Sequence, residues 1–398
     1  MRGNELKPHI GIFGRRNYGK SSLINFLTGQ SVAIVSDVAG TTTDPVKKSM
    51  EIGGVGPVVW IDTAGIDDQG VVGHMRIDKS LDMLGQADLA LILFTNNRFE
   101  AEEVMLVEFC RKRNIPFILI YSQADRFAPD QALLAQLEHD YFTQVFVLTV
   151  HNPKLRDPLT SLIRDALPET AFTHRSMLAD VVRPADTVVM VTPIDSSAPE
   201  GRMILPQVQV LRDLLDIHAM PYFCQPEELP KLLASLQSPP RLVITDSQAY
   251  AQVSPLVPEE VFLTSFSVVL ARAKGLFEDY VKGTPAISSL HDGDNVLMLE
   301  SCTHNVTCED IGRVKLPKLL TKFTGKQLHC ETVSGFSNLP RPISEYALVI
   351  QCGGCVITAK QLASRLAPAI EAGIPVSNYG LAIAYMNGIF HRAMRIFQ

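Results

Sequence analysis

The chain has 398 residues, of which 46% are hydrophobic and 20% are charged, as in soluble globular proteins and unlike disordered ones. This length exceeds one ordinary core, so two or three domains are expected. A formal net charge of −6, without a basic stripe, argues against a large nucleic-acid interface. The sequence has no signal pattern and no apolar run of about 18 residues, which predicts a cytoplasmic protein that does not cross a membrane. Seven cysteines, an odd number, suggest free thiols or metal ligands.

A glycine-rich segment stands between a predicted strand at residues 10–13 and a predicted helix at residues 22–27. It reads Gly14-Arg-Arg-Asn-Tyr-Gly-Lys-Ser21, the G-x-x-x-x-G-K-S pattern of a phosphate-binding loop in its required context. The glycines let successive N–H groups point at phosphate oxygens. The lysine can reach the β- and γ-phosphates, and the serine hydroxyl can bind Mg²⁺. The residues predicted to bind the nucleotide here are Gly14, Asn17, Gly19, Lys20, Ser21 and Ser22.

Two later segments fit the other contacts of a bound nucleotide. Thr42 lies in the polar stretch 36–44 and can supply a second Mg²⁺ ligand that senses the γ-phosphate, although a threonine-rich surface turn is the alternative. Asp62-Thr-Ala-Gly65 follows the apolar strand predicted at residues 58–61. The aspartate there can orient water around the metal, and the Gly65 N–H can bond the γ-phosphate. Lys20, Thr42, Asp62 and Gly65 are therefore the predicted catalytic residues.

Predicted strands at residues 89–94 and 116–121 flank a predicted helix at residues 101–113. This alternation predicts a mostly parallel sheet with helices on both faces. Over residues 8–170 the motifs resemble the small GTPases of the Era and MnmE type. The resemblance implies GTP and Mg²⁺ as ligands, and it associates Asn17 with a K⁺ ion near the phosphates; an ordinary loop-stabilising asparagine is the alternative.

Two positions depart from that GTPase pattern. Where those proteins read guanine with Asn-Lys-x-Asp, this chain has Ser122-Gln-Ala-Asp125, so Asp125 is the remaining candidate for the guanine donors. The later loop at residues 149–152 is also a poor match to the Ser-Ala-type loop of those GTPases. An ATPase therefore remains an alternative to a GTPase. Ile66 stands where Ras-like enzymes carry a water-positioning glutamine. Since isoleucine cannot orient water, slow intrinsic hydrolysis is expected.

A linker is predicted at residues 168–176, where the sequence is polar and aperiodic. Strands are predicted at residues 187–191 and 241–245, and helices at residues 207–217 and 263–274. This small α/β domain has no phosphate signature, so an interface role such as dimerisation is expected of it. Its isolated Cys224 is predicted to lie in the core.

Cysteines follow two predicted strands of the C-terminal third, at residues 296–299 and 346–350. Cys302-Thr-His304 comes after the first strand and Cys352-Gly-Gly-Cys355 after the second. Parallel strands ending at one edge would bring these sites together. The residues alone leave three possibilities: a Cys₃His zinc site, three thiolates of a [4Fe–4S] cluster, or a redox dithiol. Cys308 is a spare candidate, whereas Cys110, Cys224 and Cys330 have no nearby cysteine partner in the sequence.

The whole chain resembles the [FeFe]-hydrogenase maturation GTPases. Besides the phosphate loop and the cysteines, residues 204–209, 310–317 and 377–380 carry the similarity. The resemblance implies a P-loop GTPase domain (1–172), a small α/β dimerisation domain (173–272) and a C-terminal α/β domain (273–398) binding an iron–sulfur cluster.

By the same resemblance, Cys302, Cys352 and Cys355 hold a [4Fe–4S] cluster, and His304 is a possible fourth ligand. The protein would be a scaffold that delivers the diiron subcluster to apo-[FeFe]-hydrogenase, alongside radical-SAM maturation enzymes. Many members read His-Cys-Gly-Gly-Cys, and here Gln351 takes the histidine position. The rival hypothesis is a ribosome- or RNA-associated GTPase with a structural zinc domain.

Overall fold

The computed structural model describes residues 7–29, 46–62, 80–81, 83–168, 171, 176–194, 203–301, 311–335 and 339–398, without the side chains of Val46, Lys47 and Asp62. The chain forms two compact units, residues 1–174 and 175–398. None of the helices in these described ranges is both long and apolar enough to span a bilayer.

The first unit is built on a six-stranded sheet. Its strands are β1 (His9–Phe13), β2 (Val46–Ile52), β3 (Gly56–Asp62), β4 (Leu89–Phe94), β5 (Phe117–Tyr121) and β6 (Val145–Val147). Their order is β2-β3-β1-β4-β5-β6, and β2 is antiparallel to β3 whereas all other neighbours are parallel. The mostly parallel sheet is thus confirmed. β1 and β4 are buried at every residue, which explains why all their residues except His9 are apolar.

Helices cover both faces of this sheet. They are α1 (Lys20–Thr28), α2 (Ala101–Lys112), α3 (Gln131–Tyr141) and α4 (Arg156–Ala166). The apolar residues of α1 and α4 share one core cluster with β1, and those of α2 and α3 share another with β4 and β5. α2 begins in a capping box of Glu100 and Glu103 and ends with Arg111 and Lys112, so charges at both ends complement the helix dipole.

The second unit contains two four-stranded sheets in which all neighbouring strands are parallel. The first has the order β10-β9-β7-β8 and consists of β7 (Thr187–Val191), β8 (Met220–Cys224), β9 (Leu242–Thr245) and β10 (Phe262–Ser265). The second has the order β12-β11-β13-β14 and consists of β11 (Asn295–Glu300), β12 (His329–Ser334), β13 (Leu348–Gln351) and β14 (Val376–Asn378).

The described helices of the second unit pack around these two sheets, and one of its hydrophobic clusters joins the sheets to each other. The helices are α5 (Leu205–Asp216), α6 (Leu229–Ser235), α7 (Tyr250–Val253), α8 (Phe266–Ala273), α9 (Phe277–Gly283), α10 (Leu316–Thr324), α11 (Ala359–Glu371), α12 (Tyr379–Met386) and α13 (Phe390–Met394). One core cluster includes residues of β7, β9, β11, β13 and α12. α12 is apolar and buried on almost every side, as expected of a helix enclosed within a core.

One predicted element of the second unit was wrong. Residues 263–274 were expected to form one helix, but β10 occupies Phe262–Ser265 and α8 begins only at Phe266. The Ser265 Oγ accepts a hydrogen bond from Val268 N, so this residue ends the strand and caps the helix. A short apolar segment directly before a helix is too short for its periodicity to show whether it is a strand or part of the helix.

The division into domains 173–272 and 273–398 stays a prediction; each contributes one of the two sheets.

Candidate functional site

The phosphate loop has the backbone that its glycines permit. Gly14 and Gly19 have φ angles of 146° and 88°, in a region that strains other residues. A Cβ on Gly14 would lie 2.7 Å from the Leu93 carbonyl oxygen, so a side chain there would displace the loop from β4. Asn17 also has a positive φ of 63°, which asparagine tolerates better than most residues. The loop therefore curls between β1 and α1 as the motif predicts.

Lys20 places its ammonium group within the curl of this loop. Its Nζ donates to the carbonyl oxygens of Gly14, at 2.8 Å, and of Arg15, at 2.9 Å. The next two residues, Ser21 and Ser22, lie exposed in the first turn of α1, where helical N–H groups lack intrahelical partners. A positive helix end, a lysine and accessible hydroxyl groups together suit a phosphate with its metal ion.

Asp62 reaches the same edge of the sheet through strand register. It is the last residue of β3, and its partner on the parallel strand β1 is Ile12, two residues before the phosphate loop. Its side chain is outside the described residues, as are Thr42 and Gly65 entirely. The catalytic roles of Lys20, Thr42, Asp62 and Gly65 thus remain predictions.

The segment at residues 122–125, in the place of the guanine-reading motif, is hydrogen-bonded to the phosphate loop. Ser122 Oγ donates to the Tyr18 carbonyl oxygen at 2.7 Å, and Gln123 Nε2 donates to the Asn17 carbonyl oxygen at 2.7 Å. Gln123 makes this contact from a left-handed backbone with φ 57°. The two residues that depart from the usual motif therefore still join the two loops, which sequence reasoning missed because the partners are about a hundred positions apart.

Asp125 is the residue of this segment predicted to bind the base. The hydrogen bond from its own backbone amide is the main cause that holds the pKa of its carboxyl below the ordinary value. His151 Nε2, from the loop after β6, lies 3.8 Å from Asp125 Oδ2. The carboxylate is thus ionised at neutral pH and able to accept from N–H donors, while its part in base recognition stays a prediction.

Arg15 links the phosphate loop to the start of α2, which the motif alone did not indicate. Its guanidinium contacts the carboxylates of Glu100, Glu102 and Glu103 at 2.8–2.9 Å. Glu103 is fully buried, and its hydrogen bond is the main cause that raises the pKa of Arg15 above its ordinary value. This ion-pair group fixes the first residues of the loop against a rigid helix end.

The predicted meeting of the two cysteine-bearing strands is confirmed for the strands themselves. β11 and β13 are adjacent and parallel, with Leu299 opposite Gln351. Ser301, directly before Cys302 in sequence, donates from its backbone N–H to Cys352 Sγ at 3.1 Å. Cys302, His304 and Cys308 lie outside the described residues. Within the described part of the chain, no group of three His, Cys, Asp or Glu side chains could hold a metal ion.

The donor set at this edge suits a soft metal. Cys352 and Cys355 are partly exposed and separated by two glycines, of which Gly354 has φ 66°, so the backbone turns tightly between them. Thiolate ligands on a tight turn fit iron–sulfur or zinc chemistry.

The other described cysteines are poor candidates for ligands. Cys224 is buried in the core, which confirms its predicted role, and burial raises the pKa of its thiol to about 11. Burial likewise raises the pKa of Cys330 to about 11, and Cys110 is fully buried. A thiol that stays protonated at neutral pH is a weak nucleophile and a weak metal ligand.

Taken together, the fold and the phosphate loop define a P-loop GTPase domain, which is followed by an α/β unit with two parallel sheets. Residues 9–123 match the family model described as 50S ribosome-binding GTPase. Residues 177–275 match the hydrogen maturase F dimerization domain, and residues 278–396 match its tetramerization domain. Because these two models span more than half of the chain behind a GTPase domain, the chain belongs to the hydrogen maturase F family.

Curated relatives match only part of the chain. The tRNA modification GTPase MnmE of Exiguobacterium sibiricum is 41% identical over 116 residues, 29% of this chain and 25% of that protein. GTPase Der of Wolinella succinogenes is 47% identical over 87 residues, 21% of this chain and 18% of that protein. Among solved structures, an Era variant of Aquifex aeolicus bound to GDP and aluminium fluoride is 18% identical, with a TM-score of 0.35, covering 63% of this chain and 99% of that one. The chain thus spans a quarter of the length of that MnmE and less than a fifth of the length of that Der.

Proposed function

We propose that the chain is a GTP-hydrolysing scaffold that binds a [4Fe–4S] cluster and assembles or delivers the diiron subcluster precursor to apo-[FeFe]-hydrogenase. The radical-SAM maturation enzymes are its other expected partners. The observation that carries the proposal is the pairing of β11 with β13, which sets the residue before Cys302 against Cys352 Sγ in a chain of the hydrogen maturase F family.

Cys302, Cys352 and Cys355 are the proposed cluster ligands. Three thiolates bind three irons of a [4Fe–4S] cluster, and the fourth iron accepts an exchangeable ligand. His304 remains a candidate for that position. Gln351 is not, because a neutral amide oxygen is a poor iron ligand and the amide faces Cys352 Sγ with its Nε2, at 3.2 Å. An exchangeable position suits a carrier, since a precursor can bind there and later leave.

The phosphate loop is the proposed site of GTP hydrolysis. Lys20 would contact the phosphates, and Ser21 and Thr42 would bind Mg²⁺. Asn17 is the proposed K⁺-associated residue, and Ile66 supports slow intrinsic hydrolysis because its side chain cannot orient water. These roles follow from the positions that match the GTPase pattern, with the curl of the loop and the exposed serine hydroxyl as structural support.

The rival hypothesis is a ribosome- or RNA-associated GTPase with a structural zinc site. In favour of this rival, the GTPase family model that the chain matches is described as ribosome-binding. Against this rival stands the net charge of −6, because RNA binding usually needs a basic surface or a platform of aromatic residues. The two hypotheses differ in their metal.

The deciding experiment is anaerobic reconstitution of the full chain with iron and sulfide, followed by metal analysis and EPR of the reduced protein. We expect about four irons per chain, as in a [4Fe–4S] cluster, and a reduced-cluster signal. Both should be lost in Cys352→Ala and in Cys355→Ala. The matched control is Cys330→Ala, on the edge strand β12 of the same sheet, which should retain the iron. One tightly bound zinc without an iron signal would favour the rival.

Self-association is a further part of the proposal, with the edge strand β8 as the contact between two copies. Met220, Tyr222 and Phe223 of this strand are 40–46% exposed, and Val208 and Leu215 of α5 are similarly exposed. Exposed edge strands usually carry charges or are covered, and an apolar patch of this kind marks an interface. The matched dimerization model, residues 177–275, includes both elements.

The double substitution Tyr222→Glu and Phe223→Glu is expected to raise the dissociation constant of the dimer by at least about 100-fold, because burying unpaired carboxylates costs several kcal/mol. Light scattering after size-exclusion chromatography at several concentrations measures this. Phe142→Glu, at an 86% exposed side chain of the first unit, is the control. If the double variant keeps the wild-type mass at every concentration, β8 is not the interface.

A further inference from the structure

The sulfur of Cys352 lies among three polar groups of its own sheet. Ser301 N donates to Cys352 Sγ at 3.1 Å, Gln351 Nε2 donates to it at 3.2 Å, and Ser301 Oγ lies 3.3 Å away. Ser301 is 6% exposed and Gln351 is 0% exposed. These groups are therefore part of the packed end of the sheet, and water does not compete for them.

The orientation of the Gln351 amide follows from its neighbours. Its Nε2 also lies 3.2 Å from the carbonyl oxygen of Cys352 and 3.0 Å from Ser301 Oγ. A backbone carbonyl and a thiolate only accept hydrogen bonds, so the amide must present its N–H groups on this side. The backbone of Gln351 is held between β11 and β14, and Asn378 Nδ2 donates to its carbonyl oxygen at 3.3 Å.

We propose that Gln351, with Ser301, is a positioning residue for the metal-bound thiolate of Cys352 and sets the reduction potential of the cluster. This inference rests on the proposed iron–sulfur site. An N–H group aimed at a ligating sulfur draws electron density from it and stabilises the more negative, reduced cluster. A glutamine at this position thus acts through the sulfur of its neighbour rather than as an iron ligand.

The test is a redox titration of the reconstituted full chain, followed by EPR, in wild type, Gln351→Met and Gln351→Glu. Methionine has a similar length but no N–H donor, and an ionised glutamate can only accept. Loss of a hydrogen bond to a charged sulfur should lower the equilibrium constant for reduction about tenfold, which for a one-electron couple is about 59 mV towards more negative potential. Glutamate should shift the potential at least as far.

Gln327→Met is the matched control, because this exposed glutamine lies just before β12, at the end of the sheet away from the cysteines. It should keep the wild-type potential. Wild-type potentials in both Gln351 variants would overturn the inference, whereas failure of the wild type to bind iron would instead reject the proposed function. Loss of iron from both variants, with the wild-type melting curve of the apoprotein retained, would support the positioning role, because the thiolate would then need the amide to hold the cluster.

Discussion

Replacing Lys20 with alanine is expected to lower the rate of GTP hydrolysis by about 10²–10³-fold, the usual loss when one group that stabilises transition-state charge is removed. The ammonium lies 2.8 and 2.9 Å from the carbonyl oxygens of Gly14 and Arg15, in the curl of the phosphate loop. Iron binding should be unchanged, because the proposed cysteine ligands belong to the other compact unit. Phosphate release and iron content, measured on the same preparation, check both expectations.

Lys112→Ala is the control for charge, since this exposed lysine lies at the far end of α2. It should hydrolyse GTP like the wild type. We expect the nucleotide-sensing segments at Thr42 and Asp62 to govern docking to partner proteins rather than cluster chemistry, and loss of both hydrolysis and iron in Lys20→Ala would contradict this. Binding of GTP and ATP should be compared in the same series, because equal affinities would favour the ATPase alternative left open by residues 122–125.

Replacing Arg15 with alanine is expected to destabilise the first unit by about 3–5 kcal/mol, the usual cost of leaving a buried charge without its partner. Glu103 has 0% exposure, and its carboxylate lies 2.9 Å from the Arg15 guanidinium. Trp60 is the single tryptophan of the chain and is fully buried in β3. Tryptophan fluorescence during urea unfolding therefore reports on this unit alone, and the midpoint should fall without a change in slope.

Two variants separate the buried charge from a general effect of losing an arginine. Arg98→Ala removes a 56% exposed side chain that pairs with Glu100, and a surface ion pair contributes at most about 1 kcal/mol. The double variant Arg15→Ala and Glu103→Gln removes both charges and should recover part of the lost stability. If Arg15→Ala unfolds at the wild-type midpoint, the ion-pair group does not stabilise the loop.

The strands that the sequence predicted are those inside the sheets. Eight were predicted, namely β1, β3, β4, β5, β7, β9, β11 and β13, and all of them have neighbours on both sides. In the described part of the chain there are six edge strands, and these were missed or assigned to a helix. β12, for example, reads His-Cys-Glu-Thr-Val-Ser and is partly exposed. A strand buried on both faces needs a continuous apolar run, whereas an edge strand can mix polar and apolar residues and so gives no clear signal.

The sequence by itself determined the phosphate loop and the two cysteine segments, because each is a local pattern whose spacing alone makes the chemistry possible. It also predicted that the cysteines would meet if their two strands ended at one edge of a parallel sheet, and the structure shows that β11 and β13 are adjacent. Only the tertiary structure decided that Gln123 holds the phosphate loop at Asn17, that Arg15 is fixed by Glu103, and that Ser301 reaches the sulfur of Cys352. These contacts join residues 51 to 106 positions apart, and which side chains meet over such separations depends on how the strands are ordered and paired.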